Sequence, residues 1–215
     1  QGSSSAAPLY NFNSDVSFST DNKLATGASF THPITGNPIT DFATQYVDDK
    51  TEMINEAGIT NLHKQQSREE KRSLLFDAAT RNTNIWTKIL WISGGNINAE
   101  KCFYYYIHPQ FNHATGRLRY HNKRIAPGEI QMHNPEKHHN TQLLRLEPRD
   151  GRRTLGVILA PDGNCSQQID RSRDIAATYI GKLKYSKLPK SAKWTAVTSI
   201  LDPGVLYPLM AINST

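Results

Sequence analysis

The sequence predicts an α+β fold, an antiparallel sheet backed by helices with a helical appendage, and three observations carry that expectation. Between Ala25 and Ile54, short β-prone pieces are punctuated by Gly27, Pro33, Gly36 and Pro38. From Leu62 to Ile92, apolar residues recur along one broad helical face. Beyond a β-rich middle, the pattern from Ser166 onward is helical again. Runs of strands followed by runs of helices favour segregated α+β packing over a doubly wound sheet.

The elements follow in order. "QGSSSAAPLYNFNSDVSF" is small and polar up to Pro8, then carries Leu9, Phe12, Val16 and Phe18 on one helical face. Proline is tolerated in a first helical turn, where its missing N–H has no partner to lose. Ala25 to Ile39 reads as strand, turn and connection. Phe42, Thr44, Tyr46 and Val47 on one side, and Thr51, Met53 and Ile54 on the other, suit two short strands with a tight turn at Asp48 and Asp49. Leu74, Leu75, Ala78, Ile85, Ile89 and Ile92 form the apolar stripe of the long helix, which "SGG" ends because glycine accepts the left-handed conformation. "KCFYYYIHPQF" is strand-like. Asn112 to Asn140 is polar and His-rich, and reads as a long loop or irregular hairpin. "TQLLRLEP" and "RTLGVILAP" read as strands joined through "RDGR". Ser166–Tyr185, Lys190–Leu201 and Pro203–Ile212 read as helices.

The 215 residues suffice for one large domain or two small ones. Charge is unevenly spread: from Arg117 to Lys193, 16 Lys and Arg stand against 7 Asp and Glu, a net +9, which leaves the remainder at −3. A basic second half beside an acidic first half suits phosphates gripped in one place and metals held in another; ordinary solvated side chains are the plain alternative. Cys102 and Cys165 lack any metal or disulfide spacing, which leaves a reducing compartment as the default. With no signal peptide and no apolar run of about 18 residues, a soluble, intracellular protein without membrane contact is expected. The chain opens on Gln1 without a methionine and reads as a fragment.

Asp48 and Asp49 raise the functional question. Adjacent carboxylates in a partly buried turn repel unless a positive charge relieves them, and a divalent cation does so through hard oxygen ligands.

At this point the chain resembles a family. "QYVDD" between strands is similar to the Tyr-x-Asp-Asp hairpin of reverse transcriptases, and "QGSSSAAP" stands upstream where that family carries a Gln-Gly loop and a Pro-started helix. "GGNINAEKCF" resembles its Gly-x-x-Asn-x-x-Lys-Cys-x-Phe segment, and "RTLGVILAPDG" its Leu-Gly primer-grip hairpin. Four signals in the family's order, from Gln1 to about Gly163, are more specific than any one.

The resemblance implies a partial polymerase palm over residues 1–163, with a His-rich insertion near 112–140, and a helical thumb-like region over 164–215. It implies RNA-directed DNA synthesis in a retroelement, with Mg2+ or Mn2+ as cofactor and an RNA template, a DNA primer and dNTP as partners. Asp48 and Asp49 become the metal ligands, Asp48 the firmer, and Tyr46 and Val47 line the site near the primer end. Gln1 and Gly2 contact template or nucleotide, Gly2 by admitting it close to the backbone. Lys101 matches the lysine that gives a proton to departing pyrophosphate. Arg153, Leu155, Gly156 and Val157 grip the primer, with Arg152 also near phosphate. The plain alternatives are a flexible end for Gln1 and Gly2, a surface lysine for Lys101 and a core strand for Leu155 and Val157. Lys182, Lys184, Lys187, Lys190 and Lys193 charge the thumb-like region. Oligomeric state is not legible.

Two departures stand against the resemblance. Ala7 precedes Pro8 where the family often has Ser. The family's further metal-binding Asp comes from a strand before the Gln-Gly loop, and Asp15, Asp21 and Asp41 stand in the wrong order to replace it. The isolated chain is therefore expected not to polymerise. A retroelement remnant that only binds nucleic acid is the runner-up, and an acidic hairpin that binds calcium or merely turns is a third reading. Six of the eight histidines fall between His108 and His139 without zinc-ligand spacing, which favours an exposed loop.

Overall fold

The computed structural model describes residues 6–41, 43–46, 49–59, 66–154 and 156–211. Its helices are α1 (Ala6–Leu24), α2 (Arg68–Ile92), α3 (Ser166–Tyr185), α4 (Lys190–Ala196) and α5 (Asp202–Ala211). A π-helical stretch, Val197–Leu201, joins the last two. The strands are β1 (Ala28–Thr31), β2 (Pro38–Asp41), β3 (Ala43–Tyr46), β4 (Asp49–Glu52), β5 (Phe103–Tyr105), β6 (Pro109–Asn112), β7 (Arg117–Tyr120), β8 (Gln131–Asn134), β9 (His139–Gln142), β10 (Leu144–Leu146), β11 (Arg152–Thr154) and β12 (Val157–Leu159). The chain is α+β. It forms two compact units, one of residues 1–104 and 126–145, the other of 105–125 and 146–215.

In the first unit the local rules are plain. Ser67 caps α2 by accepting from the Glu70 amide, and the Glu70 carboxylate accepts in return from the Ser67 amide at 2.7 Å. That charge-assisted bond holds the Glu70 carboxyl below its ordinary range. Gly94, at φ +84°, ends the helix as the "SGG" predicts. The expected start at Leu62 is corrected: helix begins at Arg68, because the cap at Ser67 satisfies the first free amides, and residues 60–65 lie outside the described residues.

α2 packs on α1 and on β8. The core there holds Ala28, Phe76, Ala78, Ala126, Ile130, Met132 and Leu143. Polar groups stitch it: buried Asn82 accepts from the Thr26 amide at 2.9 Å and donates to the Thr26 carbonyl at 2.8 Å. Asn84 accepts from the His133 amide at 2.7 Å, which fixes β8 on α2. Arg145 is buried over the Phe76 ring and donates to the Ala126 carbonyl at 2.6 Å.

In the second unit, β12 lies against α3 and α5, with Val157, Leu201 and Pro208 buried. The wholly buried Gln168 of α3 accepts from the Ile158 amide at 2.7 Å and donates to Ser172 at 3.0 Å. This tie carries the Leu155 hairpin into the same unit as the helices, so the boundary expected at 163 falls inside one unit.

Three other expectations change. The hairpin expected through "RDGR" does not form. Glu147 and Asp150 close their own turn, the Asp150 amide donating to the Glu147 carbonyl at 2.8 Å, and β10 pairs with β5. β11 instead pairs antiparallel with β12, and Gly156, just before β12, takes φ +91°. Of the two readings of the polar stretch 112–140, the hairpin is nearer, but it is parts of two regular hairpins, β6–β7 and β8–β9, in place of one irregular one. Asn112 accepts from the Ala114 and Thr115 amides and Asn134 from those of Glu136 and Lys137, so each Asn builds its own turn. Finally, the described strands form six two-stranded ladders and no single sheet. They are three or four residues long, and all but β5 and β10 find their partner across the next turn.

Candidate functional site at the acidic hairpin

β3 and β4 are antiparallel, with Ala43 opposite Glu52, Thr44 opposite Thr51, Gln45 opposite Lys50 and Tyr46 opposite Asp49. The described ladder therefore closes at Tyr46 and Asp49, which takes Asp49 out of the expected turn. Val47, Asp48, Gln1, Gly2 and Leu155 lie outside the described residues.

Because side chains alternate along a strand, the two sides of this hairpin differ sharply. Thr44 and Thr51 are exposed. Gln45, Lys50 and Glu52 turn toward the helices. Gln45 donates to Ser14 of α1 at 2.7 Å. The Lys50 ammonium is paired with Asp21 of α1 and with Glu52, and lies 4.0 Å from the centre of the Trp86 indole of α2. Its side chain is 6% exposed and that of Asp21 is 0% exposed. A lysine buried this deeply is stable only when its charge is answered, and here two carboxylates and an aromatic face answer it.

Asp21 is the strained member of the cluster. Its second oxygen, Oδ1, is buried without a hydrogen-bond partner among the described residues. Burial raises the Asp21 carboxyl above its ordinary value, and it outweighs the opposing effect of Lys50. Sequence reading weighed Asp21 only as a replacement metal ligand and passed over Lys50, Glu52 and Trp86. The available signal was the alternation in "DDKTE", which puts Lys50 and Glu52 on the same side of a strand that begins at Asp49.

Among the described carboxylates beneath this hairpin, Asp21 and Glu52 are not left to a metal, since both pair with the Lys50 ammonium. Among the described residues no three His, Cys, Asp or Glu side chains converge as a metal site.

The other expected residues are distributed as follows. Lys101 closes a short 3-10 turn, Ala99–Lys101, in the first unit and is exposed, with no ion pair among the described residues. Beside it, burial pushes the Cys102 thiol up, which disfavours the nucleophilic thiolate and agrees with a packing role. Arg153, Gly156 and Val157 belong to the second unit. Arg153 is exposed opposite Ile158, whereas Val157 is 4% exposed and belongs to the core, as the plain alternative had it. Among the described residues no helix is long and apolar enough to cross a membrane. No family model, curated protein or solved structure matches this chain.

Proposed function

We propose that this chain is part of a retroelement reverse transcriptase, spanning a palm from its Gln-Gly loop onward and a thumb-like helical region. The observation that supports the reading is the β3–β4 register: the ladder closes at Tyr46 opposite Asp49, next to the acidic pair of the sequence, in a hairpin anchored to the helices through Lys50. The antiparallel pairing of Arg152–Thr154 with Val157–Leu159 adds support, since the resemblance calls for a hairpin there.

In this reading Asp48 and Asp49 hold Mg2+ or Mn2+, which when bound neutralises charge on the phosphates undergoing transfer. The Lys50 cluster keeps the hairpin from shifting. Lys101 supplies a proton to the leaving group, and Gly156 brings the turn of its hairpin close to the primer backbone while Arg153 meets phosphate. RNA template, DNA primer and dNTP are the partners.

The test is RNA-templated primer extension by the parent polypeptide that includes the segment preceding Gln1, compared with its D48N/D49N variant. Extension that the double substitution abolishes supports the reading; extension that survives it removes the acidic pair from the chemistry. The 215 residues alone are expected to give none.

A further inference from the structure

We propose that the second unit carries a cleft for the phosphate backbone of a single nucleic-acid strand, formed by residues that the polymerase reading leaves without a role. The cleft measures about 770 Å3, and its cations are Arg119 on β7, Lys123 and Arg124 in the turn after it, and Arg149 in the turn before β11. All four are exposed, and none has an ion-pair partner among the described residues.

Two carboxylates, Glu147 and Asp162, also line the cleft, and both are engaged in building its walls. Glu147 accepts from the Lys123 amide at 2.9 Å, which ties the turn at 122–124 to the turn at 147–150. Asp162 accepts from the Asn164 amide at 2.9 Å, while its own amide donates to the Pro148 carbonyl at 3.1 Å. The walls are thus braced by backbone hydrogen bonds, and the cations are left to face a ligand. Four positive charges against two negative ones make the cleft a local anion trap.

The arrangement favours a strand over a compact anion. The cations come from two separate segments, 119–124 and the turn that holds Arg149, and so are spread as spaced phosphates require. Tyr120 lines the same cleft, and His121, the next residue, has its ring 4.5 Å from that of His108, on which Tyr106 stacks in parallel. Basic side chains interleaved with rings are what sequence-tolerant binding of single strands uses.

The inference does not need polymerase activity, so its failure is separable from that of the preceding reading. The experiment is fluorescence anisotropy of labelled oligo(U) RNA with the full chain across a salt series. Four phosphate contacts contribute about −2.8 to the slope of log K against log salt, and R124Q/R149Q is expected to remove about 1.4 of that. Replacing all four cations by Gln is expected to weaken binding by about tenfold or more at low salt. K88Q/K137Q, an equal charge loss on the first unit, is expected to leave both quantities nearly unchanged. No binding, an equal loss in K88Q/K137Q, or unaltered binding in R124Q/R149Q each overturns the proposal. So does displacement of oligo(U) by inorganic triphosphate at equal phosphate concentration, which would mark a compact ligand.

Discussion

The ammonium of Lys50 stands 4.0 Å from the centre of the Trp86 indole, so a strand that begins with Asp49 is clasped to the longest helix of its unit one residue later. The cation beside the acidic pair of the sequence is therefore already matched, by Asp21 and Glu52 beneath the hairpin.

Removing that cation leaves two carboxylates in a buried setting. Lys50→Met is expected to destabilise the chain by about 3 to 5 kcal/mol, the usual consequence of breaking a buried ion pair from one side. Adding Asp21→Asn to it is expected to restore part of the loss, since one stranded charge is then gone. Urea unfolding of the two single variants and the double variant measures the coupling; strictly additive losses would mean that the two residues do not interact.

Asp21 also makes a pH signature. Its folded-state carboxyl lies above the ordinary value of 3.8, so the folded chain binds its proton more tightly than the unfolded chain does. Its stabilising contribution is complete below pH 3.8 and is lost as pH rises through the elevated folded value. Asp21→Asn lacks this dependence. The stability difference between wild type and Asp21→Asn should therefore shift against wild type on moving from below pH 3.8 toward neutrality. Thermal melts of both proteins over that range check it, and a difference that stays constant or moves the other way contradicts the assignment.

Gln168 tests how the Leu155 hairpin is held. Gln168→Leu strands the Ile158 amide and the Ser172 hydroxyl, and is expected to cost about 1 to 3 kcal/mol. Amide hydrogen exchange should quicken most at Ile158. Unchanged protection there would show that the hairpin is supported by other contacts.

Much of the local structure was legible. The glycine stop at Gly94 and the helices beyond Ser166 follow from short-range chemistry written within a few residues, whereas the equally local capping box at Ser67 and Glu70 was missed and the helix start read at Leu62. The acidic turn was legible to within one position, because register depends on which cross-strand pairs close the ladder. The two small hairpins within 109–142 were hidden by their polar strands, although Asn112 and Asn134 mark their turns.

By itself the sequence determined the α+β character, the C-terminal helices and the glycine stop of the long helix, since each rests on contacts between near neighbours in the chain. Only the tertiary structure decided that Lys50 would meet Asp21, 29 residues away, and that Gln168 would hold Ile158. The physical reason is desolvation: whether a polar side chain is sealed from water and must find a partner depends on elements packed from elsewhere in the chain, which no local pattern records.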